Sequence, residues 1–197
     1  MKLVFATNNA NKLKEVKALL PHHIELLSLQ DIGCYEDIPE TAETIEGNAF
    51  QKVDFVKKKF GYDCFADDTG LEVEALDGRP GVHSARYAGE DKSSEANIDK
   101  LMGELEDETN RQARFKTVIA MDLDGKQYSF TGICDGNIIF ERKGEQGFGY
   151  DPVFKPEESS KTFAEMSLSE KAEFSHRARA TRKLIEFLAK KTNNSIS

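Results

Sequence analysis

The sequence has few of the features that mark secreted, membrane-embedded or zinc-binding proteins. Its three cysteines, Cys34, Cys64 and Cys134, are scattered and form no C-x-x-C pair, which argues against a disulfide framework or zinc site and predicts a reducing compartment. No apolar run approaches the roughly 20 residues that a membrane span needs. The apolar run at Leu3 to Ala6 turns polar too soon for a signal peptide. We therefore expect a cytoplasmic protein that does not associate with a membrane.

Positive charge is also scarce, because 27 lysines and arginines face 35 aspartates and glutamates, a formal net charge of −8. That balance disfavours a general nucleic-acid partner, although a small polyanion could still bind together with Mg²⁺. The hydrophobic share of 39% and the charged share of 31% are typical of an ordinary folded protein. With 197 residues, residues 1–197 are predicted to form one domain of one or two lobes.

Two adjacent carboxylates stand out at the centre of the chain. Asp67 and Asp68 follow the apolar run Cys64-Phe65-Ala66 and precede Thr69-Gly70. Aspartate is disfavoured inside strands and favoured in turns, so the pair is predicted at the C-terminal end of a strand. Ligands bind at that edge in open α/β sheets, and carboxylate oxygens suit Mg²⁺. The alternative interpretation is a solvated aspartate turn.

A strand, a polar loop and a helix are predicted at the N-terminus. The run Thr7-Asn8-Asn9-Ala10-Asn11 separates the apolar residues 3–6 from a helical pattern that begins near Leu13. The start of such a helix directs backbone N–H groups at an anion, and Lys12 could add a positive charge for phosphate. The glycines of a P-loop are absent. An ordinary helix cap with a solvated lysine is the alternative.

The rest of the chain alternates between helical and strand patterns. Apolar spacing predicts helices at 44–60, with Gly61 as its C-cap, and at 94–105. Asp124-Gly125 lies between two apolar runs and predicts a β-hairpin. An antiparallel pair beside αβ units predicts a mixed sheet.

A glycine–aromatic loop and two short helices are predicted near the C-terminus. The loop at 144–154 presents Phe148, Tyr150 and Phe154 as flat faces for a base, and Asp151 could accept from a ring N–H. A packed turn is the alternative.

Ser167 and Glu170 match a capping box at the start of a helix. Ser175 could cap a second helix with His176 and Arg177 in its first turn, where a solvated surface pair is the alternative.

Together these features describe a nucleoside triphosphate held with Mg²⁺. The first helix and Lys12 would hold the phosphates, and the aromatic loop would hold the base. Asp68 beside a metal should stay ionised and could serve as a ligand or, through a water, as a general base. Hydrolysis is the natural chemistry, but these residues alone do not fix which phosphorus is attacked.

Five motifs, in this order, resemble the inosine triphosphate pyrophosphatase family, which hydrolyses non-standard purine nucleoside triphosphates. The resemblance runs from Leu3 to about Leu188. The motifs are Thr7-Asn8-Asn9-Ala10-Asn11-Lys12, Ala66-Asp67-Asp68-Thr69-Gly70-Leu71, Pro80-Gly81-Val82-His83-Ser84-Ala85-Arg86-Tyr87, Gly147-Phe148-Gly149-Tyr150-Asp151-Pro152-Val153-Phe154, and Ser175-His176-Arg177.

The resemblance implies an α/β fold with an elongated, curved mixed sheet and flanking helices, in two lobes around a central cleft. It also implies a homodimer that requires Mg²⁺ and cuts ITP, dITP and XTP between the α and β phosphates. Asp68 would be proton acceptor and metal ligand, Glu40 a second metal ligand, and Asp67 a supporting residue. The substrate-binding residues would be Thr7, Asn8, Asn9, Ala10, Asn11, Lys12, Thr69, Phe148, Gly149, Tyr150, Asp151, Lys171, His176 and Arg177.

The chain departs from the family pattern at two points. Thr69 stands where serine is commoner, which keeps the hydroxyl, and the acidic loop could be aligned so that Glu43 replaces Glu40.

Hypoxanthine and xanthine carry a 6-keto acceptor and an N1–H donor, so a pocket that donates to position 6 would reject adenine. We expect Arg177 and backbone N–H groups of the aromatic loop to donate, with Asp151 or a carbonyl accepting from N1.

Three rival functions remain open on the sequence. They are a pyrophosphatase for modified pyrimidines, a nucleotide sensor without turnover, and a single-strand nucleic-acid binder that stacks bases on Phe148 and Tyr150. The net charge disfavours the last.

Residues 192–197 are predicted to form a flexible tail.

Overall fold

The described residues form a mixed β-sheet in the order β2-β1-β3-β5-β6-β7, with β4 paired to β3. The computed structural model describes the main chain of residues 1–194 and the side chains of residues 1–191. The strands are β1 (Lys2–Phe5), β2 (Glu25–Leu27), β3 (Cys64–Val73), β4 (Pro80–Gly81), β5 (Gln112–Leu123), β6 (Lys126–Ile138) and β7 (Phe154–Pro156).

Five α-helices accompany the sheet in the described part of the chain. They are α1 (Ala10–Lys17), α2 (Ile45–Phe60), α3 (Ser94–Glu104), α4 (Leu168–Phe174) and α5 (His176–Asn194). None of these helices is both long and apolar enough to cross a membrane. The tail predicted over 192–197 falls on residues whose side chains are not described, and residues 195–197 lie outside the described chain altogether.

The chain divides into two compact units. The first contains residues 1–68, 117–132 and those from 177 onward, and the second contains residues 69–116 and 133–176. Three of the strands, β3, β5 and β6, contribute residues to both units.

Parallel strands form the centre of the first unit. Leu3 of β1 is paired with Leu26, and Phe5 is paired with Phe65 of β3. The rings of Phe5 and Phe65 stack with their centroids 4.7 Å apart, and both side chains are fully buried. Burying a side chain of this kind contributes about 1.5–3 kcal/mol, so this apolar pair fixes the register at the end of β1.

An aromatic cluster forms the core of the second unit. Phe115 meets Phe154 edge-on at 4.6 Å, and Phe163 packs against both. The apolar face of α3, with Ile98 and Leu101 fully buried, closes the same cluster. Antiparallel pairing of β3 with β4 and of β6 with β7 borders it.

The local signals in the sequence set several element ends as predicted. The Thr44 side chain accepts from Gly47 N–H at the start of α2, and Gly61, with φ 78°, ends that helix. The hairpin prediction is confirmed, because Asp124 and Gly125 have φ of 53° and 76°, as a two-residue I′ turn requires. The capping box at Ser167 and the new helix that begins at His176 are also confirmed.

The predicted position of the aspartate pair at a strand end is wrong. β3 continues from Cys64 to Val73, so Asp67 and Asp68 lie inside it. β1 pairs with β3 up to Phe65, β4 pairs with it from Leu71, and β5 is its neighbour on the other side. The pair therefore lies just beyond the end of β1 rather than beyond the end of its own strand.

Candidate active site

The loop before α1 closes on itself through its own side chains. Asn9 is the N-cap of α1, and its Oδ1 accepts from the N–H groups of Asn11 and Lys12 at 3.0 and 3.2 Å. Thr7 Oγ1 accepts from Asn9 N–H at 3.1 Å. The helix cap of the alternative interpretation is therefore present and uses the N–H groups of Asn9, Asn11 and Lys12, and the predicted phosphate contacts of this loop stay predictions.

Lys12 is not the solvated lysine of the alternative interpretation. Its side chain is 15% exposed, and Nζ lies 3.1 Å from Asp67 Oδ1. Burial lowers the pKa of Lys12, although the neighbouring Asp67 opposes that effect. The side chain thus delivers a positive charge to the middle of β3.

Asp67 is the fully buried centre of an ionic network. Its Oδ1 accepts from Lys12, and its Oδ2 accepts from Arg177 Nε at 2.9 Å. Burial alone would raise the pKa of Asp67, but Lys12, Arg177 and Lys52 together hold it well below its usual range. Both oxygens are engaged by cations, so the side chain supports its neighbours instead of offering an open ligand position.

Arg177 is buried too, at 1% exposed, and its Nη1 donates to Glu15 on α1. Burial alone would lower the pKa of this guanidinium, but Asp67 and Glu15 more than offset that and raise it above its ordinary value. The solvated-pair alternative is therefore wrong for Arg177, which ties α5 to β3 and α1. Its predicted contact with a base stays a prediction.

Asp68 presents the most unusual oxygen of the site. The residue is 7% exposed, and its Oδ2 is buried with no hydrogen-bond partner. Its Oδ1 lies 3.7 Å from Lys52 Nζ. Burial raises the pKa of Asp68, and Lys52 opposes that shift. A buried polar atom normally has a hydrogen-bond partner. This oxygen is therefore suited to bind a partner that the protein itself does not supply.

Lys52 was missed by the sequence interpretation. It lies on the buried face of α2, between Ala49 and Val56, and is 5% exposed. Its Nζ is 3.8 Å from Glu40 Oε1 as well as near Asp68. The available signal was its position: a lysine in the apolar stripe of a helix needs a buried carboxylate partner.

The acidic loop that carries Glu40 is fastened to α2. Gln51 accepts from Thr41 N–H, and Asn48 accepts from Ala42 N–H, each at 2.9 Å. Gly47 permits the approach, because a Cβ there would lie 2.6 Å from the Cβ of Ala42. This anchoring brings Glu40 to Lys52, whereas Glu43 is exposed.

Two carboxylates, Glu40 and Asp68, could hold a magnesium ion. Among the described side chains, those of residues 1–191, no three His, Cys, Asp or Glu residues converge to form a metal site by themselves. Mg²⁺ typically takes one or two carboxylates together with waters and substrate phosphates. The unpartnered Asp68 Oδ2 therefore fits such an ion, with the remaining positions left to other oxygens.

In the second unit, Asp151 organises the glycine–aromatic loop. Its Oδ2 accepts from Phe148 N–H at 3.0 Å and from Lys171 Nζ at 2.6 Å. Gly147 has φ 75°, and a Cβ there would lie 2.0 Å from Asp151 Oδ2, so only glycine fits. Lys171 Nζ also lies 4.9 Å from the Phe148 ring centroid, which holds that ring in place.

The three aromatic residues of the loop differ in exposure. Phe154 is fully buried in the core, so the expectation that it offers a face to a base is wrong; its position in β7 directs it onto Phe115. Tyr150 is 5% exposed, and its hydroxyl donates to Ser84 O at 2.7 Å. Phe148 is half-buried, as is Gly149.

His176 and Thr69 complete the predicted residues. His176 is 3% exposed and stacks on Phe115 with 4.5 Å between the ring centroids, so it is not a solvated surface histidine. Thr69 follows Asp68 in β3 and is half-buried. Tyr150, His176 and Thr69 keep their predicted substrate contacts as predictions.

Solved structures define the class of fold. The chain superposes on the Staphylococcus aureus Ham1 protein with a TM-score of 0.88 and 40% identity, over 97% of this chain and 100% of that one. It superposes on a HAM1 protein from Coxiella burnetii with a TM-score of 0.89 and 35% identity, over 96% of this chain and 99% of that one. The predicted mixed α/β fold with flanking helices is thereby confirmed.

The chain belongs to the Ham1 family, which it matches over residues 3–187. It is 62% identical to the dITP/XTP pyrophosphatase of Flavobacterium psychrophilum, over 95% of this chain and 98% of that protein. It is 43% identical to the dITP/XTP pyrophosphatase of Bacillus subtilis, over 94% and 96%. The family resemblance inferred from the five motifs is confirmed.

Proposed function

We propose that this protein is a pyrophosphatase for the non-standard purine nucleotides dITP, XTP and ITP, and that it needs Mg²⁺. The single observation that carries the proposal is Asp68, whose buried Oδ2 has no partner and whose Oδ1 faces a buried lysine. The names of the relatives in Flavobacterium psychrophilum and Bacillus subtilis support the substrate class.

In this proposal, Lys12 and Lys52 supply positive charge to the triphosphate, with two exposed residues beside them, Asn8 in the loop and Ala10 at the start of α1. The cap of α1 does not use the N–H groups of those two residues. Glu40 and Asp68 would hold Mg²⁺, which when bound polarises phosphate oxygens and lowers the pKa of a coordinated water.

Asp68 is the proposed proton acceptor. A water oxygen forms a bond to the α-phosphorus, and the bond from that phosphorus to the bridging oxygen breaks. Pyrophosphate leaves with the bond's electron pair, and the water proton passes to Asp68. The buried Oδ2, which has no hydrogen-bond partner, is the atom proposed to take that proton.

Phe148 is the proposed platform for the base. The ring is half-buried and held by Lys171, and the loop backbone is fixed by Asp151. Asp151 or a loop carbonyl is the proposed acceptor for the N1–H of hypoxanthine. Backbone N–H groups of the loop are the proposed donors to the 6-keto oxygen.

A substrate panel tests the proposal. Pyrophosphate release is measured for ITP, XTP, dITP, ATP, GTP and dUTP, with Mg²⁺ and with EDTA. We expect turnover of the first three only, abolished by EDTA and by Asp68→Asn. Turnover of dUTP instead would indicate the pyrimidine alternative, and tight ITP binding without turnover would indicate a sensor.

A matched pair of variants tests the second metal ligand. Glu40→Gln should raise the Mg²⁺ concentration needed for half-maximal rate, whereas Glu43→Gln, an exposed acid of the same loop, should not. The opposite result would assign the ligand to Glu43.

The family resemblance further supports a homodimer in the cytoplasm, and light scattering on the purified protein tests the dimer.

A further inference from the structure

Lys52 differs from Lys12, Lys57 and Lys171 in how it meets its carboxylates. Lys12 and Lys171 each approach an aspartate oxygen closely, at 3.1 and 2.6 Å, and Lys57 lies 2.7 Å from Asp63 and 3.2 Å from Asp122. Lys52 Nζ instead lies 3.7 Å from Asp68 and 3.8 Å from Glu40. Both separations exceed the hydrogen-bonding range of about 2.7–3.2 Å, so the ammonium is shared between two carboxylates without a direct bond to either.

The Lys52 ammonium therefore places a positive charge near both Glu40 and Asp68, the two carboxylates proposed to bind the metal ion. The Lys52 side chain is 7% exposed, so its charge is poorly screened by solvent. Three cations face four carboxylates in the surrounding cluster, which consists of Lys12, Lys52 and Arg177 with Glu15, Glu40, Asp67 and Asp68. Little negative potential remains to attract a divalent ion on its own.

We propose that Lys52 is an internal counter-ion that keeps Glu40 and Asp68 from binding a divalent cation tightly until a nucleoside triphosphate arrives. The inference rests on the proposed metal site. The negative charge of the triphosphate restores the balance, so cation and nucleotide bind with positive coupling, each raising the affinity for the other. Lys52 sets the size of that coupling.

Binding measurements without turnover test the inference directly. The full chain, without nucleotide, is titrated with Mn²⁺ while unbound Mn²⁺ is followed by electron paramagnetic resonance. Lys52→Met should bind Mn²⁺ about tenfold more tightly than the wild type, a conservative figure for removing a unit charge about 4 Å from each ligand. Lys58→Met is the matched control, because Lys58 is on the same helix with a side chain 80% exposed, and it should behave as wild type.

The coupling is measured by repeating the titration with an ITP analogue whose α,β-bridging oxygen is replaced by methylene. The analogue should lower the Kd for Mn²⁺ in both proteins. The factor by which it does so should be about tenfold larger in the wild type than in Lys52→Met. Equal or weaker Mn²⁺ binding by Lys52→Met, or undiminished coupling, would overturn the inference. If Lys52→Met does not fold, Lys52→Gln should show the gain and Lys52→Arg should not.

A double variant separates this inference from the proposed function. In Lys52→Met/Asp68→Asn the gained Mn²⁺ affinity should disappear. If the gain persists without Asp68, the cation binds elsewhere and the proposed metal site fails. If Asp68→Asn weakens binding but Lys52→Met changes nothing, the metal site stands and the counter-ion role fails.

Discussion

Removing the charge of Asp67 is expected to be among the most damaging single changes in the first unit. The side chain is fully buried between Lys12 Nζ at 3.1 Å and Arg177 Nε at 2.9 Å. Without it, the Arg177 guanidinium, 1% exposed, would lose the carboxylate that accepts from its Nε. Breaking a buried pair by removing one partner costs about 3–5 kcal/mol, so Asp67→Asn should lower the free energy of unfolding by that amount.

The assay is urea unfolding followed by circular dichroism. For a chain of this size each kcal/mol lowers Tm by about 2–4 °C, so the loss should be evident by calorimetry as well. A cycle with Arg177→Leu should show that the double variant loses less than the two single losses combined, by about 0.5–3 kcal/mol. Glu25→Ala breaks a pair with Lys2 whose side chains are 56% and 66% exposed, and it should cost no more than about 1 kcal/mol.

A loss below about 1 kcal/mol for Asp67→Asn, the level of an exposed pair, would refute this explanation. Strict additivity with Arg177→Leu would refute it as well, because residues that share a charge network must couple.

Two further predictions concern the second unit. Glu170 in the capping box of α4 has its pKa lowered from 4.5 to about 2 by the Ser167 hydrogen bonds and Lys161. A depressed folded-state pKa stabilises the protein above pH 4.5 and loses that contribution as the pH falls towards 2, so Glu170→Gln should flatten the acid limb of a Tm–pH curve. An unchanged curve would contradict this. Gly147→Ala should disrupt the Asp151 contact and raise KM for ITP. Gly125 has a similar φ, but a Cβ there would meet open space, so Gly125→Ala should lower Tm and leave KM unchanged. Equal effects of the two variants on KM would count against the loop's role.

The parts of the fold that the sequence predicts are those set by neighbouring residues. Thr44 and Gly61 bound α2 because a cap acts within one turn, and Asp124-Gly125 defines the hairpin because two positive φ values suffice. The position of the aspartate pair in β3 could not be inferred in this way. It depends on strands that are distant in the sequence, namely β1, β4 and β5, which are the neighbours of β3, and local propensity contains no information about those neighbours.

The candidate site was predictable as a set of motifs but not as a network. The contact between Arg177 and Asp67 joins residues 110 positions apart, and no local pattern in a single sequence encodes it. Lys52 lies outside the five motifs and was missed, although its place in the apolar stripe of α2 was visible. The hydrogen bond from Phe148 N–H to Asp151 Oδ2, made in the compact turn at Gly147, was not predicted either, and the proposed contact of Asp151 with a base stays a prediction.

The most direct test of the proposed chemistry is ITP hydrolysis in water enriched in oxygen-18, with Mg²⁺ present, followed by mass spectrometry of the products. Attack on the α-phosphorus places the label in inosine monophosphate and leaves the pyrophosphate unlabelled. We predict that outcome for the wild type and no labelled product for Asp68→Asn. Label in pyrophosphate or in inorganic phosphate, or undiminished labelling in Asp68→Asn, would contradict the proposal that Asp68 directs water to the α-phosphorus.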